Sequence, residues 1–245
     1  MKNHTIKKLV LIALITSPVS VFGDENNWPG LYAGIELGYA DSDIKLKCKD
    51  CNTPPYSDYM NGDTKSQNLK NIIYGAQAGF NIVEDNILYG TELSYIDFNS
   101  HKKSWSDATP SHGGNTRDDT FTSKLGSSIS FSGRLGKIYD NLLVYGKAGA
   151  VFGHYSLKIQ DYNTQQNGTN TGNNTGGGKD SKWLPGISVG FGAEYMLNSK
   201  IGLGAEYNYV HFFSRDFNSG GNATYIMSTD NFDVHLAQLK LNYHF

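Results

Sequence analysis

The last ten residues alternate in character. Ala237, Leu239, Leu241, Tyr243 and Phe245 make one apolar face, while Leu236, Gln238, Lys240, Asn242 and His244 make a mostly polar one. A period of two predicts a β-strand whose faces meet different surroundings. The pattern recurs upstream. From Leu31 to Ala40, the residues Leu31, Ala33, Ile35, Leu37 and Tyr39 oppose Tyr32, Gly34, Glu36 and Gly38. Segments starting near Leu69, Ile87, Phe121, Leu142, Lys182 and Ile201 read the same way, which makes eight strands in all. In the segment from Phe121, the alternation sets Leu125, Ile129, Phe131 and Leu135 against Ser128, Ser130, Ser132 and Arg134.

The connections alternate too. Glu84-Asp85-Asn86, Tyr139-Asp140-Asn141 and Asn198-Ser199-Lys200 are tight turns, whereas 41–68, 99–120, 160–181 and 213–231 are long and polar. Short turns at one end and long loops at the other are the asymmetry of an up-and-down barrel in an outer membrane, with the short turns periplasmic. A soluble eight-stranded barrel would have an apolar interior and a polar outside. Here the more polar face is small, dominated by Gly and Ser, and the other is bulky, aliphatic and aromatic. Small side chains suit a narrow lumen and greasy ones suit a lipid-facing wall. The expected fold is all-β: an eight-stranded antiparallel up-and-down transmembrane β-barrel, with four long outer loops and three periplasmic turns.

Composition agrees, with 28 Gly, 16 Tyr and 12 Phe in 245 residues. A formal net charge of -2 implies no strong electrostatic partner, and there is no basic stripe for nucleic acid. At the N-terminus Lys2, Lys7 and Lys8 precede the apolar run Leu9 to Ile15, with Pro18 and then Val21-Phe22-Gly23 following. This reads as a signal peptide over 1–23, with the barrel over 24–245. The alternative, an N-terminal anchor, needs about 20 apolar residues.

The polar face carries a charged layer. Glu36, Gln77, Glu92, Arg134, Lys147, Glu194, Glu206 and Lys240 all fall on it, a few residues up from the periplasmic end of their strands. At ~3.4 Å per residue and a tilt of about 40°, they form one belt roughly 10–13 Å above the edge. The expected pairs are Glu92 with Arg134, Lys147 with Glu194, Glu206 with Lys240, and Lys240 with Glu36 across the closure. The belt is either a packed polar plug or a narrow conduit for small ions. The first reading follows from buried charges needing partners. An eight-stranded barrel is only wide enough for its side chains, which argues against a wide aqueous channel.

Other groups invite chemistry. Cys48 and Cys51 are expected to form a disulfide within one loop after export, with free thiols or a metal as alternatives. No second Cys pair exists to complete a zinc site, and no metal or cofactor is expected. His101, His112, His154, His211 and His235 lie in or near the outer half, where they are either solvated surface or a site for haem or metal. By parity His154 and Ser156 share the lipid-facing side. That His-x-Ser arrangement is similar to the lipid A deacylase family, but no Glu follows to orient the His. The chain is not expected to be an enzyme.

Several stretches carry a family likeness: Trp28-Pro29-Gly30-Leu31-Tyr32-Ala33-Gly34, Leu143-Val144-Tyr145-Gly146-Lys147-Ala148-Gly149, Gly190-Phe191-Gly192-Ala193-Glu194-Tyr195, and the terminal Phe245. The chain resembles the OmpA-like small outer-membrane barrels, and more closely surface antigens of the opacity and hemin-binding kind. The resemblance implies that the barrel-assembly machinery reads the final strand through Leu239, Leu241, Tyr243 and Phe245. Unlike full-length OmpA, the chain is not expected to carry a peptidoglycan-binding domain. The resulting expectation is a monomeric surface protein in outer-membrane lipid, meeting a host or environmental ligand through its loops. A narrow channel or a hemin receptor is the alternative.

Overall fold

The computed structural model describes residues 28–50, 64–99, 102–110, 116–162, 174–176, 178–218 and 226–245. The proposed signal peptide, the Cys48–Cys51 pairing, His101 and His112 fall outside what is described. The strands are β1 (Gly30–Asp50), β2 (Thr64–Glu84), β3 (Ile87–Asp97), β4 (Lys102–Pro110), β5 (Thr116–Tyr139) and β6 (Leu142–Tyr162). They continue as β7 (Asn174–Gly176), β8 (Lys179–Met196), β9 (Ile201–Phe212), β10 (Arg215–Asn218), β11 (Ile226–Thr229) and β12 (Phe232–His244). Eight of them, β1, β2, β3, β5, β6, β8, β9 and β12, form the wall by antiparallel pairing of successive neighbours. The ring closes where β1 meets β12, from Tyr32 opposite His244 to Asp43 opposite Asp233. Closure leaves no open edge across the membrane, where an unpaired backbone group has no water to bond.

The periplasmic turns follow from residue type. Asp85 and Asn86 take φ of 50° and 64°, and Asp140 takes 51°. Asp and Asn tolerate this left-handed region better than other non-glycine residues, and it matches the twist of a two-residue hairpin.

The two faces part as the alternation predicts. Phe131 is 60% exposed and Leu241 45%, while Lys240, on the opposite face, is 1% exposed. The greasy residues therefore line the outside and the ionic ones fill the middle.

Two differences from the sequence reading matter. First, Leu125 faces inward and is buried, although counting by twos from Ile129 sets it outside. The β5–β6 register slips between Leu125 and Ser128, so a bulge at Gly126-Ser127 reverses the faces above it. Second, strands occupy much of the expected loops. β1 pairs with β2 as far as Lys47 opposite Thr64, and β5 with β6 as far as Thr120 opposite Gln160. Outside the membrane the outward positions face water, as Lys45 and Lys47 do, while Ile44 and Leu46 stay buried inside. Overall polarity hid an alternation that never stopped. The result is a collar standing on the outer rim, with β4 on β5, β7 on β6, and the β10–β11 hairpin on β1.

Candidate functional site

The belt residues sit where the polar face predicts, on the lumen side. Glu36, Gln77, Glu92, Arg134, Lys147, Glu194, Glu206 and Lys240 are all buried. Lys240 Nζ lies 2.9 Å from Glu206 Oε2, 3.0 Å from Glu92 Oε1 and 3.9 Å from Glu36 Oε2. Lys147 Nζ lies 2.8 Å from Glu92 Oε1 and 2.6 Å from Glu206 Oε1. Arg134 spans Glu194 at 3.3 Å and Glu92 at 3.7 Å. Its guanidinium is also sandwiched, 4.1 Å from the Tyr145 ring centre and 5.0 Å from that of Tyr32.

Three of the expected pairs are present, but Lys147 does not pair with Glu194. In the β6–β8 register Lys147 faces Gly190 and Glu194 faces Leu143, four residues away along the strand. That separation is about 14 Å at ~3.4 Å per residue. Lys147 instead reaches across β8 to Glu206 and across β5 to Glu92. Small residues on the strands between, Gly190 and Gly192 on β8 and Ser132 on β5, leave room for it. Glycine serves the same purpose on β2, where a Cβ on Gly75 would meet Glu36 Oε1 at 2.6 Å. Glu194 turns to Arg134 and to His244 Nε2 at 2.9 Å.

Neutral groups complete the carboxylates' hydrogen bonding. Tyr32 donates to Glu92 at 2.9 Å, Tyr145 to Glu206 at 2.7 Å, Ser94 to Glu36 at 2.9 Å, and Asn242 to Glu194 at 2.9 Å. Gln77 donates to Asn242 at 2.7 Å. Such satisfaction is what makes a buried ionic network tolerable.

Sequence reasoning missed what lies above and below the belt. On the periplasmic side Trp28, Leu88, Ile138, Leu143 and Met196 pack together with the Tyr145 ring. On the outer side a larger apolar cluster runs from Ile73, Ile96 and Val151 up into the collar. The β10–β11 hairpin folds its Phe217 and Met227 into this cluster, with Phe217 5.2 Å from the Tyr155 ring. Tyr155 donates to Ser123 Oγ at 2.8 Å, which satisfies its hydroxyl inside the cluster. On the β8 side the hairpin is tied by polar contacts. The Asn218 amide bonds Asp180 at 3.0 Å, and Lys182 donates to the Asp216 carbonyl at 2.6 Å. Burial works against the Asp180 charge, but the Asn218 amide and the Lys182 ammonium outweigh it and hold the carboxyl below its usual range. The signal was available, because Ile73 and Leu236 already fell on the inner face by parity. Between belt and outer cluster lies a cavity of about 20 Å³, beside Ser94, Ser130 and Asn208. That is room for about one water.

Of the outer-half histidines, the three described ones, His154, His211 and His235, lie on the outward face, whereas His244 is buried against Glu194. His211 Nδ1 lies 2.7 Å from Asp233, and His235 Nδ1 2.6 Å from the Tyr207 hydroxyl. His154 packs edge-on against Trp183, ring centres 5.3 Å apart. Ser156 shares its outward face, yet no described carboxylate hydrogen-bonds to His154 to orient it.

A family model described as the outer membrane protein beta-barrel domain matches residues 9–245. The chain belongs to that family. Its place is therefore the bacterial outer membrane, with the wall in lipid and the collar outside. This outer membrane β-barrel is 26% identical over 244 residues to the 31 kDa outer-membrane immunogenic proteins of Brucella melitensis and Brucella suis, across 96% of its own length and 91% of theirs. Among solved structures it is similar to Ail, the attachment invasion locus protein of Yersinia pestis, at 14% identity and a TM-score of 0.38, over 88% of this chain and 99% of that one. Neisserial surface protein A gives 13% identity and a TM-score of 0.43, over 88% and 97%.

Proposed function

We propose that this barrel is a sealed surface protein. It acts by interaction, with the collar meeting host or environmental ligands while the plugged wall supplies rigidity. One observation carries the reading: among the described residues the lumen is packed with apolar side chains at both ends and ionically cross-linked in the middle, and the cavity between belt and outer cluster is about 20 Å³. A conduit needs a path, and here any path breaks the ion pairs of Lys147 and Lys240 and parts the Phe217–Tyr155 contact. The Brucella relatives are immunogenic outer-membrane proteins, which supports a surface role. Leu239, Leu241, Tyr243 and Phe245 line the outside of the closing strand, where they are accessible for the assembly machinery to read.

Two assays test this. In planar bilayers the purified barrel should give no stable conductance, and reproducible open steps would support a channel instead. In cell or matrix adhesion, replacing 214–230 by a short Gly/Ser turn should reduce attachment while leaving heat-modifiable gel migration intact. Full attachment by that variant would place the contact elsewhere.

A further inference from the structure

We propose that the outward face of β5, β6 and β8 holds a phosphorylated headgroup of the outer-leaflet glycolipid, using Lys124, Lys158 and Lys179. The ladder sets these residues in two rows above an aromatic row. His154 stands opposite Trp183. Two residues higher, Lys124, Ser156 and Ser181 stand side by side. Two residues higher again, Lys158 stands opposite Lys179. All lie on the outward face, alternating with inward Tyr155, Leu157, Lys182 and Leu184.

Height and charge both select the ligand. Trp183 and Phe152 are exposed on the lipid side, 47% and 50%, as interfacial aromatics are. At ~3.4 Å per residue and a tilt of about 40°, the lysine rows lie roughly 5 and 10 Å above Trp183, at the level of the headgroups. Lys70 pairs with Asp41, and Lys182 with Asp180 on the inner face. Among the described residues Lys124, Lys158 and Lys179 have no carboxylate partner. The far side of the barrel differs, for there Asp43 stands opposite Asp233, and Asp41 opposite His235. An anionic headgroup is therefore drawn to the flank of β5, β6 and β8.

Three ammonium groups around the exposed Ser181 match a phosphate, with the ammonium acting as a mobile point charge, while Ser156 lies buried beneath them. The exposed Trp183 and Phe152 surface just below favours a phosphate that carries acyl chains over a free one. The His154–Ser156 pair then belongs to a lipid contact and needs no hydrolytic role.

The test uses the full barrel folded in detergent micelles. The micelles are doped with a bisphosphorylated diglucosamine lipid or its dephosphorylated form, or the buffer contains inorganic phosphate alone. Bound lipid is counted by native mass spectrometry, and stability is read from the temperature at which unboiled gel migration is lost. The phosphorylated lipid should bind and raise that temperature, and the other two should not. K124Q/K158Q/K179Q should bind at least about tenfold more weakly, from three lysines each contributing near a charged surface. K45Q/K47Q, on β1 across the barrel, should bind as the parent does. Lys158→Gln alone and raised salt should each weaken binding, which covers a triple variant that fails to fold. Unchanged binding by K124Q/K158Q/K179Q, or by Lys158→Gln should the triple not fold, overturns the proposal. So does equal binding of the dephosphorylated lipid, or an equal shift from inorganic phosphate.

Discussion

Lys240→Met is expected to destabilise the barrel by about 3–5 kcal/mol, the cost of stranding charge in a buried network. Lys240 is the cation that Glu92, Glu206 and Glu36 share, and its side chain is 1% exposed. Methionine keeps the length and the apolar stem, so the loss is electrostatic rather than a cavity. The layer has four carboxylates, Glu36, Glu92, Glu194 and Glu206, and three permanent cations, Arg134, Lys147 and Lys240. Removing one cation leaves four against two. Urea unfolding in lipid vesicles reads the effect. Adding Glu206→Gln to Lys240→Met should recover part of the loss, because the two groups are in contact and their effects are not additive. Lys45→Met, exposed on the collar, should change little. If Lys240→Met matches Lys45→Met, the belt does not hold the barrel together.

Tyr155→Ala should cost about 3–5 kcal/mol, as loss of a large buried aromatic does. Its ring meets Phe217 at 5.2 Å and Phe232 at 6.2 Å, and no part of it is exposed. The loss should be felt first in the collar, because β10 and β11 are short and Phe217 of β10 docks on this ring. Limited proteolysis from outside should then cut within 213–231 at enzyme levels that leave the parent whole. The wall strands should stay protected in both. Equal resistance of the hairpin in parent and variant would mean that Tyr155 does not anchor it.

Much of this architecture could be read from residue alternation alone. A lipid-facing residue and a lumen-facing one differ so strongly in size and polarity that Leu241 and Lys240 declare their sides without a structure. The Asp-Asn turns and the polar face of the belt were legible for the same reason, since each is a local property. What failed was non-local. Leu125 was misplaced because one bulge reverses parity, and Gly126-Ser127 gives little sign of it in sequence. The collar strands read as loops because water-facing lysines lower the hydropathy of a strand as much as that of a loop. The Lys147 partner is not legible because residue count along a strand does not give height in the barrel, whereas register sets Lys147 four residues from Glu194. The apolar packing at both ends of the lumen followed from parity already in hand, in Ile73, Met196 and Leu236, but polarity averaged over each face obscured it.

The central claim is that hydrocarbon touches one face of each wall strand and the lumen side is dry and packed. Nitroxide labels placed singly from Gly126 to Leu135 in vesicles test it most directly, through collision with lipid-dissolved oxygen. The account predicts high oxygen access at Ile129, Phe131, Gly133 and Leu135, low access at Ser128, Ser130, Ser132 and Arg134, and a break in phase at Gly126-Ser127. Access that is uniform along the strand, or high at Ser132 and low at Phe131, would contradict it.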